Sequence, residues 1–124
     1  MFLDCKNIIE IDFSEFISSN VKNIYMMFQG CTNLKSLILS DFDTSRVKGI
    51  ANLLMECRCL VSIDLSSFNT EKVEYITSIF DACNNLESLN LSNFNITNVK
   101  RAGCMFKNCL KYIQYIVDIF LLNL

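Results

Sequence analysis

Cys31-Thr-Asn-Leu-Lys-Ser-Leu-Ile-Leu-Ser-Asp-Phe-Asp-Thr44 is the segment that decides how this chain folds, because it returns at a constant interval. Close copies run over 57–70 and 83–96, a looser copy runs over 5–18, and a degraded copy begins at Cys109. The cysteines that open the copies follow one another every 26 residues, without insertion or deletion. A fixed period of this length predicts a solenoid of stacked repeats.

The composition is that of a globular chain, and it disfavours nucleic-acid binding and histidine-dependent catalysis or metal binding. Of its 124 residues 52% are hydrophobic and 19% are charged, so the chain can bury a core. The net charge is -2 and no basic block is present, which disfavours nucleic acid as a partner. Histidine is absent, so neither His-activated nucleophiles nor imidazole metal ligands are available.

Each copy contains a short strand pattern. In the central copy Leu37 and Leu39 are apolar, and Ile38 between them occupies a column that holds Asp or Asn in the other copies. This alternation predicts a short strand with one buried face. A phenylalanine follows in every copy, and stacking would align these residues as one interior column: Phe16, Phe42, Phe68, Phe94 and Phe120.

After the phenylalanine the apolar spacing becomes 0, 3, 6 and 7, which predicts a helix of two to three turns. The first such stripe is Val21, Ile24, Met27 and Phe28. Ser18, Thr44 and Thr70 stand just ahead of the stripes, where they could cap the helices. Gly30 tolerates the left-handed conformation in which helices often end. The predicted fold is therefore an α/β solenoid with short parallel strands on one face and short helices on the other.

The repeats form one domain over residues 1–124. Its units are a partial one at about 1–18, three full ones at 19–44, 45–70 and 71–96, and a degenerate one at 97–124. Because the chain begins part-way through a unit, we expect either a fragment of a longer array or a start assigned at an internal Met. No secretory signal can be read at the N-terminus, which leaves the compartment undecided.

The repeat pattern is Cys-x-x-Leu-x-x-Leu-x-Leu-Ser-x-Phe-x-Thr-x-x-Val-x-x-Ile-x-x-Met/Leu-Phe, and it resembles the BspA-like leucine-rich repeats over residues 1 to about 110. The Ser-x-Phe-x-Thr segment and the following Val-x-x-Ile segment are the specific features. The resemblance implies a leucine-rich-repeat solenoid. It also implies a cell-surface or secreted protein of mucosa-associated bacteria or unicellular parasites, with a role in attachment.

The C-terminal stretch 112–124 is strongly apolar, but its 13 residues are too few to span a membrane. Tyr115, Val117 and Phe120 keep to the repeat columns, so a last strand in register is expected. Its outward positions Ile113 and Ile116 are not polar, which predicts an exposed edge through which chains could self-associate.

The in-step cysteines admit three interpretations: disulfides, metal ligands, or a column of buried free thiols. The third is favoured, because the column lies among apolar ones and parallel Cβ directions suit a disulfide poorly. Cys57-x-Cys59 does not have the spacing of a zinc site. Cys104 falls outside the apolar stripe and is the best candidate for an exposed, reactive thiol, although an inert surface cysteine is the more common case.

The outward positions of the strands are the candidate partner-binding residues, because the core does not determine them. Asp12 and Asp64 could indicate acid/base or calcium chemistry, but they lie two repeats apart without a partner base, so a solvated sheet face is favoured. Tyr25, Met26 and Tyr75 form a lesser apolar candidate on the predicted helix side. The predicted binding set is Glu10, Asp12, Ser36, Ile38, Ser62, Asp64, Ser88 and Asn90.

We therefore expect a non-catalytic module for protein–protein recognition, part of a surface or adhesion array, with no cofactor and no metal. The partner would be a protein, for example a host or matrix protein. The alternative is an intracellular scaffold or spacer, and an enzyme with a thiol nucleophile ranks third.

Overall fold

The computed structural model describes residues 1–110 as successive repeats laid one on the next. The strands are β1 (Glu10–Asp12), β2 (Ser36–Ile38), β3 (Ser62–Asp64) and β4 (Ser88–Asn90). Each strand has three residues. The segment that leads to the phenylalanine of the same repeat follows directly. The expectations for the C-terminal strand, including Tyr115, Val117 and Phe120, lie outside the described residues.

The strands pair in parallel with a shift of one repeat. β1 pairs with β2, so that Ile11 lies opposite Leu37, and β3 pairs with β4, so that Ile63 lies opposite Leu89. The result is two separate two-stranded sheets, although β2 and β3 are also neighbours in space. Parallel pairing in this register follows from the constant period, which brings equivalent residues of successive repeats side by side.

The predicted helices are wrong: residues 1–110 contain no helix. In the segment over 21–28, alternate N–H groups bond to the next repeat instead of to their own. Met26 N donates to Ala51 O at 3.1 Å, while Met27 N donates to Ile24 O at 3.2 Å within a turn. The apolar spacing could not distinguish the two structures, because consecutive turns closed between residues i and i+3 also bury side chains three positions apart.

Backbone dihedrals show why a right-handed helix cannot pass through these segments. The φ angle is positive at one column of non-glycine residues: Met26 (55°), Asn52 (56°), Ser78 (54°) and Cys104 (59°). A second column four residues later is also left-handed, and it includes Gly30 (φ 74°) and Ala82 (φ 59°). The left-handed conformation is thus present at Gly30, but it ends no helix. Hydrogen bonds between repeats offset its cost at the non-glycine positions.

The residues predicted as helix caps instead join the repeats. Thr44 Oγ1 donates to Asn69 O at 3.1 Å and accepts from Asn69 N at 2.8 Å. Thr70 makes the same pair of bonds to Asn95, at 3.0 and 2.7 Å. Ser18 accepts from Asp43 N. All three hydroxyl residues are buried, so each one satisfies polar backbone atoms of the following repeat inside the protein.

The core runs along the stack, as the columns predict. One leucine column is fully inaccessible at Leu34, Leu60 and Leu86. The phenylalanine column is interior at Phe42, Phe68 and Phe94, which are buried in the same hydrophobic cluster. The prediction is wrong for Phe16, which is 42% exposed at the end of the stack. At its N-terminal end the ring of Phe16 stacks on that of Phe42, with centroids 6.0 Å apart and planes 5° from parallel.

The α/β leucine-rich-repeat solenoid is therefore a wrong fold class for this chain. Short parallel strands lie where the alternation predicts them. The side expected to carry helices is instead a ribbon of turns, tied to its neighbours by hydrogen bonds that include Ile50 N to Tyr75 O and Ile76 N to Arg101 O. Consecutive repeats contact one another through strands, turns and core columns alike.

The Thr44 hydroxyl offers a test of this arrangement. Thr44→Val keeps the shape of the side chain but leaves the N–H and C=O of Asn69 without their partner inside the protein. We expect the free energy of unfolding to fall by about 1–3 kcal/mol, the usual cost of unsatisfied buried polar groups. Urea unfolding measures it.

Thr97→Val is the matched control, because the side chain of Thr97 is exposed. It should change the free energy of unfolding by less than about 0.5 kcal/mol. Equal stability of the two variants would contradict the role given to Thr44.

Candidate functional site

The predicted binding residues come together on one surface, which we call the strand face. It consists of the first and third residues of the four strands, all exposed except the half-buried Ser36. The register places Glu10 beside Ser36, Asp12 beside Ile38, Ser62 beside Ser88, and Asp64 beside Asn90. The middle residues of the strands point into the core, so the strand face carries the side chains that packing leaves free.

A groove of about 460 Å³ follows the strand face from β2 to β4. Ser36, Ser62 and Ser88 line it together with Asp64 and Asn90. Because these side chains are short, a partner can approach the backbone closely. Ile38, with 43% of its surface exposed, lines a smaller cavity of about 200 Å³ beside it and supplies an apolar contact.

Two acidic residues of the strand face, Asp12 and Asp64, are held in place by the turns that follow the strands. Asp12 Oδ1 accepts from Ser14 N at 2.8 Å, and Asp64 Oδ1 accepts from Ser66 N at the same distance. The N–H of Ser14 holds the pKa of Asp12 below its ordinary value, and the hydroxyl and N–H of Ser66 do the same for the pKa of Asp64. These carboxylates are fixed anions, a state that suits recognition better than proton transfer.

The structure also separates charge in a way that the net charge of -2 conceals. The strands with their flanking residues, over 9–17, 35–43, 61–69 and 87–95, contain seven acidic residues and one basic residue. The following segments, over 19–23, 45–49, 71–75 and 97–101, contain six basic and two acidic residues. Sorting the charges by repeat column would have revealed this; a search for continuous basic runs did not.

Four of the cysteines that open the copies donate thiol hydrogen bonds to backbone carbonyls of the preceding repeat. Cys57 Sγ lies 3.2 Å from Phe28 O, and Cys83 Sγ lies 3.1 Å from Leu54 O. Cys31 and Cys109 make equivalent contacts, to Phe2 O at 3.0 Å and to Phe80 O at 3.0 Å. Burial raises the pKa of the Cys57 and Cys83 thiols far above the ordinary value, and raises that of Cys109 to about 11. These thiols therefore act as protonated hydrogen-bond donors.

All seven cysteines lie in the described part of the chain, and all are free. Cys31, Cys57 and Cys83 are fully buried, whereas Cys104 is exposed on a turn with positive φ. Cys59 Sγ approaches Asn33 Oδ1 at 4.0 Å, in a column where Asn85 binds a backbone carbonyl of the preceding repeat. Reactivity of Cys104 remains a prediction.

Residues 1–110 contain neither a candidate metal site nor a candidate membrane span. No cluster of three or more Cys, Asp or Glu residues there has the arrangement of a metal site. Nor does that part of the chain contain a helix long and apolar enough to cross a membrane.

Comparison with known proteins gives one match. The family model described as "Mycoplasma protein of unknown function, DUF285" matches residues 1–119. The chain belongs to this family. Neither the curated proteins nor the solved structures contain a match. Membership in DUF285 brings no activity with it, so the function must be argued from the surfaces described above.

The contrast between buried and exposed thiols predicts how this DUF285 chain reacts with a thiol reagent. Ellman's reagent should label Cys104 first, because only an accessible thiolate attacks the disulfide of the reagent. Cys104→Ser should remove the fast phase, whereas Cys83→Ser should leave it unchanged. Rapid labelling of five thiols in the native protein would contradict the buried column.

Stability at alkaline pH tests the protonated state of the buried thiols. Their pKa is raised in the folded protein, so the unfolded chain loses these protons first, and stability falls as pH rises above the unfolded value near 9. Each buried thiol should lower the free energy of unfolding by about 1.4 kcal/mol per pH unit above that value.

Urea unfolding between pH 8 and pH 10.5 measures this slope. In Cys83→Ser the slope should be shallower by the contribution of one thiol, whereas in Cys104→Ser, which lies outside the buried column, it should equal that of the wild type. Identical slopes in all three proteins would refute the assignment.

Proposed function

We propose that this chain is a non-catalytic protein-recognition module whose strand face contacts a partner protein. The observation that carries the proposal is the register of the strands. It gathers eight side chains that the core does not use on two adjacent strand pairs, and a groove of about 460 Å³ crosses from β2 to β4. Repeat proteins commonly bind through extended surfaces of this kind.

The chemistry of the strand face favours a protein partner with a basic surface. Seven acidic residues against one basic residue give the strands and their flanks a negative field, which steers a positively charged surface toward them. Ser62 and Ser88 present hydroxyl groups that can pair with backbone or side-chain groups of the partner. Ile38 adds an apolar contact within this polar surface.

A surface or adhesion role is the finer part of the proposal. It rests on the resemblance of the repeat pattern to the BspA-like repeats, and a host or matrix protein would then be the partner. The helix-bearing fold implied by that resemblance does not apply here, so the shared feature is the sequence pattern and not the architecture.

An intracellular scaffold is the second candidate. The observation that favours it is the continuity of hydrogen bonding between repeats, through Thr44, Thr70 and the ribbon of turns, which makes a stiff spacer. A scaffold needs no specific strand face, so substitutions there would leave its work unchanged. The two functions therefore differ in how they respond to the same variants.

Paired lysine substitutions test the strand face. Ile38→Lys with Ser62→Lys replaces two exposed residues and opposes the negative field, so proteins that the immobilised wild-type chain retains through the strand face from a tissue or matrix extract should be lost. Bound proteins are compared by mass spectrometry, and urea unfolding should show a change of less than about 0.5 kcal/mol for these surface positions.

Ser19→Lys with Ala102→Lys is the matched control, with the same change of charge at two exposed residues outside the strands. It should retain every protein that the wild type retains. If the Ile38 and Ser62 variant retained every protein that the wild type retains, the strand face would be the wrong surface. Retention of nothing by the wild type would favour the scaffold.

A further inference from the structure

A second groove, of about 420 Å³, lies on the ribbon of turns and is independent of the strand face. We call it the tyrosine groove. The residues that matter to its chemistry are Tyr25, Gly49, Ala51, Tyr75, Thr77 and Arg101.

The groove exists because small residues separate two large ones. Asn23, Gly49, Tyr75 and Arg101 form a column of parallel bridges, one from each repeat. Gly49 leaves a gap in this column, and a Cβ atom there would lie only 3.3 Å from Asn23 Oδ1. Ala51 keeps the neighbouring position of the same repeat small, so the floor between the tyrosines stays open.

The two tyrosines project from the protein and do not complete its core. Tyr25 is 51% exposed and Tyr75 is 41% exposed. Tyrosine is enriched at binding surfaces because its ring offers a large, stiff apolar contact and its hydroxyl remains wet. Two such rings on either side of a glycine and an alanine form a slot for one apolar side chain.

The surroundings of the groove are positively charged. Lys100 Nζ binds the Glu74 carboxylate at 2.7 Å, and this contact lowers the pKa of Glu74. The pair neutralises the acid nearest to Tyr75. Arg101 lines the groove and forms no salt bridge within residues 1–110, so its charge remains available to a ligand. Lys48 lines a neighbouring cavity together with Glu74 and Lys100.

The shape of the groove favours a linear ligand. The bridge column crosses four repeats, and three steps of strand spacing amount to about 14 Å. About four residues of extended peptide have that length. An acidic peptide supplies an apolar side chain for the slot and a carboxylate for Arg101, whereas an acidic oligosaccharide has no side chain of that kind.

We propose that the tyrosine groove binds a short acidic peptide segment, with an apolar side chain between Tyr25 and Tyr75 and a carboxylate on Arg101. This surface is separate from the strand face, so the chain would hold two protein segments at once.

Fluorescence anisotropy with the full chain tests the proposal. The probe is a set of labelled hexapeptides with glutamates flanking one central Leu, Ile, Phe or Met. At least one should bind, and its lysine counterpart should not. Tyr25→Ala with Tyr75→Ala should weaken binding about tenfold or more, and Arg101→Gln about tenfold. Higher salt should weaken binding as well.

Three controls make the result specific. Tyr25→Phe with Tyr75→Phe keeps both rings and should retain most of the binding. Arg58→Gln removes an exposed charge outside the groove and should have no effect. Ile38→Lys with Ser62→Lys should also bind the peptide normally, so failure of the strand-face function and failure of this proposal are distinguishable.

Several results would overturn the proposal. The first is that none of the acidic peptides binds. The second is that the Tyr25 and Tyr75 alanine variant, with the stability of the wild type, binds the peptide as tightly as the wild type does. The third is that a uronic-acid hexasaccharide binds more tightly than every peptide. The last would assign the groove to glycans.

Discussion

Backbone hydrogen bonds between successive repeats are the constraint on which this structure depends. Ile24 N reaches Gly49 O, Ile50 N reaches Tyr75 O, and Ile76 N reaches Arg101 O, each time 25 residues further along the chain. A single inserted residue would shift the repeat that contains it out of register with its neighbours, break the bonds between them and turn core side chains outward. This accounts for a period of 26 residues that holds without exception from Cys5 to Cys109.

The same constraint decides which polar residues the interior accepts. In a stack of turns, some backbone N–H and C=O groups inside the protein lack the hydrogen-bond partners that a helix or a regular sheet would give them. Thr44 and Thr70 meet part of this need with hydroxyls that donate and accept at once. Cys57 and Cys83 meet another part with thiols directed at carbonyls of the preceding repeat. The threonines that resemble helix caps and the cysteines that resemble core residues thus connect successive repeats by hydrogen bonds.

Sequence reasoning recovered the features that depend on registration and missed those that depend on local backbone geometry. The strands, the buried phenylalanine column and the convergence of the strand-face residues follow from the period alone. The helices did not form, because a three-residue apolar spacing is shared by helices and by consecutive turns. Left-handed φ at Met26 or Ser78 carries no signal in residue type, since neither residue favours that conformation.

The separation of charge into two surfaces also follows from stacking. Residues one period apart lie about 4.8 Å from each other, so like charges in one column repel strongly. The column Lys22, Lys48, Glu74 and Lys100 would be such a case, but Glu74 interrupts it and binds Lys100. One acidic residue therefore relieves the repulsion and leaves Lys48 exposed next to a groove that Gly49 keeps open. Exposed residue columns that the core does not constrain can thus build up a charged surface or a groove. We expect recognition by this chain to take place at such columns.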